Sequence, residues 1–176
     1  MLLQFKNLTI RNAETTDADW LSLWWNDGAI MAHAGFPLGL GRTADSIARD
    51  IRLDTDDTCR RLMIELESTP IGEMVYRNMG ERVAEIGIKI CDPSEQNKGY
   101  GKILLSMLLR ALFEDLNYWK VILDTSPENL RAQRVYEELG FKKLRVRENA
   151  WQDQLGQWQA IADYELVPQD FINFAV

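Results

Sequence analysis

Gln96-Asn97-Lys98-Gly99-Tyr100-Gly101 is the stretch whose residue types and spacing could do chemistry. It follows a β-branched run, Ile86-Gly87-Ile88-Lys89-Ile90, and leads into the apolar helical pattern Ile103-Leu104-Leu105-Ser106-Met107-Leu108-Leu109. The first turn of a helix has backbone N–H groups without intrahelical partners, and its dipole favours negative charge. Glycines at 99 and 101 let an anion approach the main chain without meeting a Cβ. Strand, small-residue loop and helix together suit a pyrophosphate. The spacing excludes a P-loop, because Lys98 precedes the first glycine and no hydroxyl follows Lys102. It also excludes the dinucleotide fingerprint, whose third glycine is replaced by Leu104.

What remains, Gln-x-x-Gly-x-Gly after a strand, resembles the acetyl-coenzyme A loop of the GNAT superfamily of N-acetyltransferases. A second stretch, Asn129-Leu130-Arg131-Ala132-Gln133-Arg134-Val135-Tyr136-Glu137-Glu138-Leu139-Gly140-Phe141, is similar to that family's other hallmark. Ala132, Tyr136 and Gly140 stand four residues apart, on one helical stripe. Gly140 is placed to end the helix in the left-handed conformation. The resemblance covers roughly residues 62 to 166. Its branch is most similar to the ribosomal-protein alanine N-acetyltransferases, through Trp24-Trp25-Asn26-Asp27, Ala84-Glu85-Ile86-Gly87 and the tail hairpin with Gly156 before Trp158. Gln96 departs from that branch, where tryptophan is common.

The resemblance implies acetyl-coenzyme A as co-substrate, a primary amine as acceptor and no metal. It implies a cofactor site of Ile88, Lys89 and Ile90 pairing with the pantetheine arm, the loop Gln96, Asn97, Lys98, Gly99, Tyr100, Gly101 and Lys102, and Asn129, Ala132 and Tyr136 on the later helix. Direct transfer needs a polarised thioester carbonyl, a deprotonated amine, a protonated leaving thiolate and both reactants held together. Tyr136 is the general acid that the family places on this helix; the alternative is a core tyrosine with its hydroxyl at the rim. Glu85 looks like the glutamate base of histone-acetylating members. Glu73, Glu148 or an ordered water chain are the alternatives. Arg131 and Arg134 read as solvated surface charges. His33, alone of its type, reads as structural, with acceptor contact as the lesser reading. Trp20, Trp24 and Trp25 read as helix-face and core residues, one of which could line an acceptor cleft.

Around these motifs the elements follow from periodicity. Leu8–Arg11 forms a first strand; Thr15-Thr16-Asp17 starts a helix that Asn26-Asp27-Gly28 ends; a loop spans 31–42; and Thr43 caps a second helix. Strands follow at 61–66, 71–77 and 82–90, joined by tight turns. A long helix from Tyr100 to about Leu116 precedes a strand at 118–124, a helix at 129–139 and a closing hairpin of 141–150 and 158–167. The class is α/β (α+β). In the family this order gives a mixed, mostly antiparallel sheet of six to seven strands flanked by about four helices. That sheet splays open between its fourth and fifth strands, which here are 82–90 and 118–124.

The 176 residues, 46% hydrophobic and 27% charged, suit a single domain spanning 1–176. No apolar run is long enough for a membrane, and the start lacks a secretion signal. Two cysteines, Cys59 and Cys91, form no metal cluster and fit buried free thiols in a cytoplasmic setting. A net charge of −7 disfavours nucleic acid. Homodimerisation through the tail hairpin or Phe171–Phe174 is compatible with the sequence. Two rival readings stand beside the enzyme: a non-catalytic acyl-coenzyme A sensor or interaction module, and a nucleotide-binding protein.

Overall fold

The computed structural model describes residues 1–176. Its centre is one eight-stranded sheet. In chain order the elements are β1 (Leu2–Phe5), β2 (Leu8–Asn12), α1 (Ala18–Trp25), α2 (Gly28–Met31), α3 (Ala44–Leu53), β3 (Cys59–Leu66), β4 (Thr69–Asn78) and β5 (Val83–Ile90). They continue with α4 (Tyr100–Arg110), β6 (Lys120–Thr125), α5 (Leu130–Glu138), β7 (Lys142–Gln152) and β8 (Trp158–Leu166). The spatial order is β1-β2-β3-β4-β5-β6-β8-β7, antiparallel everywhere except between β5 and β6.

Two elements correct the expectation from sequence. The sheet has eight strands rather than six or seven, because Leu2–Phe5 folds back on Leu8–Arg11 through a turn in which Lys6 takes a positive φ of 53°. The loop after α1 contains a short helix as well. The first helix ends where Asn26-Asp27-Gly28 predicts, at Trp25 with Asn26 as its cap, and Asp27 in addition starts α2, its carboxylate accepting from the N–H groups of Ala29 and Ile30.

Two cores cover the two faces of the sheet. On one, α4 presents Leu104, Leu105, Leu108 and Leu109 to Ile64, Met74, Tyr76, Ile86 and Val121. After Arg110 the helix runs on as a π-type turn through Asp115, matching the expected extent of about Leu116. On the other face, α1 and α3 pack Leu21, Trp24, Ile47 and Ile51 against Met63 and Cys91. Along the closing strand β8, Ala162, Tyr164 and Leu166 are buried on one face, whereas Trp158 at its start is exposed. The C-terminal aromatics turn inward. Phe171 lies 5.8 Å from Phe113, and the Phe174 N–H donates to Ser106 Oγ on α4.

The feature that positions chemistry is a fork. Strand β5 pairs with β4 along its whole length, from Ala84 to Ile90. It pairs with β6 only at Val83, Ala84 and Glu85. Beyond Glu85 the two strands part, while β6 continues along β8 from Val121 to Thr125. Register says which groups face the gap. The N–H of Met79 donates to Val83 and that of Cys91 to Ile71, so Glu85, Gly87 and Lys89 bond to β4. The main chains of Ile86, Ile88 and Ile90 therefore face the fork.

Candidate active site

The anion-binding loop is built as its glycines demand. Gly99 is the residue before α4 and has φ of 83°, a left-handed conformation; Asn97 also has positive φ, 62°. No side chain caps α4, and the N–H groups of Tyr100, Gly101 and Lys102 have no acceptor within the protein. A Cβ added to Gly99 or Gly101 would meet nothing within 4 Å, so the space above the helix start is open. Gln96 fastens the loop to the fork: its Nε2 donates to the carbonyl of Ile90 at 2.9 Å.

Opposite stands α5. Asn129 caps it by accepting from the Ala132 N–H at 3.1 Å. At the other end the Phe141 N–H reaches the Tyr136 carbonyl and the Gly140 N–H reaches Glu137, a Schellman closure with Gly140 at φ of 97°. That closure fixes the direction of Tyr136. Its ring lies between Phe141 and Tyr164, with centroids at 5.8 and 5.7 Å. The residue is 8% exposed, and no protein group hydrogen-bonds its hydroxyl. Burial, then the nearby charges of Asp124 and Tyr164, push the phenol up to about 12.

Between α4, α5 and the fork lies a cleft of about 540 Å³. It brings together Ile88, Lys89, Ile90, Gln96, Asn97, Gly99, Tyr100, Gly101, Lys102, Asn129, Ala132 and Tyr136, which are twelve of the sequence-derived candidates. Two candidates need correction. The Lys98 side chain does not line the cleft, because Glu95, three residues back, holds its ammonium at 3.0 Å from both carboxylate oxygens. Lys89 cannot offer its main chain to a ligand in the fork, since that edge is bonded to β4. Its side chain instead forms part of the wall.

Arg131 and Arg134, expected as plain surface charges, line the cleft as well as meeting solvent. Arg131 donates to Asn97 Oδ1 and so bridges α5 to the loop. Lys102 sits 2.9 Å from Glu138 and 4.2 Å from the centroid of Phe174, which ties the tail to the helix start. His33, on a short 3₁₀ turn, also reaches the cleft wall.

Through the fork, on the α1 and α3 side of the sheet, lies a second cavity of about 360 Å³. Its wall includes Trp25, Met31, Arg42, Arg61, Glu73, Val75, Arg77, Gly87 and Lys89. Ile88 and Lys89 line both cavities and form the partition between them. Glu73 accepts from Trp25 Nε1 at 2.7 Å and lies 3.4 Å from Lys89 Nζ, which also meets the Met31 sulfur at 3.0 Å. Of the three tryptophans Trp25 lines this second cavity, while Trp24 is buried and Trp20 is 41% exposed.

Glu85 lines neither cavity but sits at the crotch of the fork, paired with Arg77 at 3.2 Å. Glu148 lies on the exposed β7. Sequence reasoning missed Asp124, which stands on β6 directly beside Asp163 of β8. Its side chain meets solvent, yet crowding by the neighbouring strands, then the charges of Glu85 and Asp163, raise its carboxyl above the usual range. The signal was present in strand parity, since Val121 and Leu123 are buried on one face and Asp124 must take the other.

The arrangement has an anion niche, a buried phenol that stays protonated, and a second cavity reached through a gap in the sheet. Comparison with known proteins gives it a lineage. Residues 7–142 match the model of the acetyltransferase (GNAT) domain. An uncharacterized N-acetyltransferase of Bacillus subtilis, YnaD, is 29% identical over 163 residues, covering 88% of this chain and 94% of that protein. A spermidine N(1)-acetyltransferase of Vibrio cholerae is 36% identical over 89 residues, about half of each chain. Among solved structures, the spermidine N-acetyltransferase of Vibrio cholerae in complex with CoA and spermine superposes with a TM-score of 0.84 at 26% identity, over 95% of this chain and 99% of that one. The ribosomal-protein-S5-alanine acetyltransferase of Vibrio fischeri shares the fold, with a TM-score of 0.78 at 17% identity over 98% of this chain and 99% of that one. Acetyl-coenzyme A is the co-substrate of such enzymes, and the chain belongs to the GNAT family of acetyltransferases.

Proposed function

We propose that residues 1–176 form one N-acetyltransferase domain, working in the cytoplasm, that moves an acetyl group directly from acetyl-coenzyme A to a primary amine. The observation that carries this reading is the pairing of two cavities across the fork, with a partnerless phenol beside the opening. The larger cleft takes the coenzyme. Its diphosphate sits on the N–H groups of Tyr100 to Lys102, with Lys102, Arg131 and Arg134 supplying positive charge. The pantetheine arm lies along the free edge of β5, bonding to Ile88 and Ile90 and extending the sheet by one strand.

The thioester then reaches the partition at Ile88. A main-chain N–H on that edge polarises the carbonyl as the tetrahedral oxyanion forms. The amine enters from the second cavity, over Gly87, whose missing side chain leaves the path clear. Glu85 or Asp124, both at the crotch of the fork, takes its proton directly or through water. Collapse of the intermediate breaks the C–S bond, and Tyr136 donates toward the departing thiolate. Glu73 is a weaker candidate for the base, since Trp25 and Lys89 already occupy one of its oxygens.

Two measurements test the reading in sequence. Coenzyme A should raise the melting temperature in proportion to the logarithm of its concentration, and ATP should not. Thiol release from acetyl-coenzyme A should then appear with at least one member of a panel of peptides, polyamines, amino acids and amino sugars. Coenzyme A binding without thiol release across the panel would reject catalysis and leave the acyl-coenzyme A sensor.

A further inference from the structure

The second cavity has a charge pattern opposed to that of the whole molecule. The protein carries a net charge of −7, yet four cations, Arg42, Arg61, Arg77 and Lys89, line this cavity against a single carboxylate, Glu73. Strand register explains the convergence. Across β3, β4 and β5 the residues on this face form rows: Met63, Glu73, Lys89; then Arg61, Val75, Gly87; then Cys59, Arg77, Glu85. The middle row is the floor. Val75 and Gly87 are small enough to leave it open, and a Cβ on Gly87 would meet only Val75, at 3.2 Å. Arg61 closes the far end of that row and Arg42 hangs over it from the loop before α3. Lys89 and Arg77 flank it on either side.

The cations keep donors free for a ligand. Asp50 and Asp54 hold Arg42 and Arg61 from behind, and neither carboxylate lines the cavity. Arg42 uses Nε on Ser46 and one terminal nitrogen on Asp50, leaving the other terminal nitrogen unbonded. Arg77 spends one contact, at 3.2 Å, on Glu85, and its side chain is 51% exposed. A guanidinium has five donors. The carboxylates that could meet an ammonium, Glu85 (which also pairs with Arg77) and Asp124, lie where β5 and β6 part, at least two strands away from Arg61. Strands are about 4.8 Å apart, so the strand of Arg61 runs roughly 10 Å from that of Gly87, a distance the arginine side chains shorten.

We infer that the acceptor is a primary amine that also bears an anionic group, a carboxylate or a phosphate. The anion is gripped by Arg42 and Arg61 with Arg77 or Lys89, and the amine points over Gly87 to the fork. The inference rests on the acetyl-transfer reading and narrows its acceptor. A polycation would place its distal ammonium groups among the four cations, where Glu73 is the one carboxylate on the wall itself and Asp50, Asp54 and Glu85 are already engaged by Arg42, Arg61 and Arg77.

Matched acceptors test this: leucine against leucinamide, a dipeptide against its C-terminal amide, glucosamine 6-phosphate against glucosamine, with spermidine and kanamycin as polycations. Thiol release should favour the anionic member of at least one pair by about tenfold or more in kcat/KM, the effect of one lost charged hydrogen bond. The pair that discriminates tells carboxylate from phosphate. In Arg42→Gln and in Arg77→Gln the ratio should fall toward one, with melting temperature confirming that each variant is folded. Neutral or polycationic members used equally well or better would overturn the inference. Should coenzyme A bind and no acceptor be turned over, transfer fails as a reading. Thermal stabilisation by the same pairs in the presence of coenzyme A then decides the anion preference by itself, and equal stabilisation by both members refutes it.

Discussion

Replacing Tyr136 by phenylalanine isolates one oxygen atom. The ring keeps its contacts with Phe141 and Tyr164. The hydroxyl has no protein partner, so no donor or acceptor is orphaned by its removal. Stability should therefore change by no more than about 0.5 kcal/mol. The kinetic effect follows from acidity. A phenol pushed up to about 12 lies roughly 3.5 pH units above an ordinary thiol, so handing its proton over completely would be uphill by about 5 kcal/mol. Its contribution is then a hydrogen bond that strengthens as charge builds on sulfur, more than an early proton transfer. That places the loss of turnover near the lower end of the general-acid range, about 10²-fold or ~2.7 kcal/mol. Steady-state thiol release gives kcat, and equilibrium titration gives coenzyme affinity. The expected result is a kcat lowered about a hundredfold with coenzyme affinity and melting temperature unchanged. A variant with wild-type kcat refutes the role, as does one whose loss is matched by an equal loss of coenzyme binding. The raised pKa also means that the wild-type rate shows no alkaline fall from Tyr136 below about pH 10.

Three further variants separate folding from function. Gly101→Ala should stabilise the protein by about 0.5–1 kcal/mol, because residue 101 is helical, without positive φ, and a Cβ there meets nothing. It should weaken coenzyme A binding in the same preparation, since that Cβ enters the anion niche; unchanged affinity by calorimetry counts against the site. Gly140→Ala should destabilise by at least about 2 kcal/mol in denaturant melts, because its φ is 97° and the new Cβ would lie 1.9 Å from the carbonyl of Asp170. Asp17 is buried, and although burial raises its pKa, hydrogen bonds from Arg11 and the Glu14 N–H outweigh this and leave it lowered. A carboxyl lowered by folding stabilises above its unfolded value near pH 3.9 and loses that contribution as pH falls through the folded value. Wild-type melting temperature should therefore drop below about pH 4, and Asp17→Asn should start about 1–3 kcal/mol less stable at pH 7 and show a shallower acid limb.

What was legible in the sequence was local. The long helix and α5 announce themselves by 3.6-residue periodicity and by the glycines at 99 and 140, and the coenzyme cleft follows because its parts lie in two short contiguous motifs. The second cavity was not legible. Arg42, Arg61, Arg77 and Lys89 come from a loop and three strands, and only register puts them around one floor. Strand β1 escaped notice because an edge strand of four residues, exposed or half-buried throughout, carries little hydrophobic alternation. Asn26-Asp27-Gly28 ends the first helix as read, but the four-residue α2 that Asp27 starts was missed because it is too short to show periodicity. The direction of the Lys98 side chain was not legible either, because a motif fixes a residue's position in the chain, while Glu95 three residues away holds its ammonium outside the cleft.

The fork shows why a single strand can serve both substrates. Along β5 the even residues Ile86, Ile88 and Ile90 turn their side chains onto the α4 core and their main chain toward the gap. The odd residues Glu85, Gly87 and Lys89 bond to β4; Gly87 and Lys89 line the second cavity, and Glu85 stands on the same face at the crotch of the fork. In the proposed mechanism, coenzyme recognition uses the backbone of the residues that anchor the core, and acceptor recognition uses the face of those between. The two specificities are free to vary separately. Changing position 85, 87 or 89 alters what the acceptor meets without touching the edge that pairs with pantetheine. A slip of one residue in the β4–β5 register would exchange the two sets, burying Glu85 and Lys89 and exposing the isoleucines. The apolar face of β5 therefore guards the geometry of the reaction as well as the stability of the sheet.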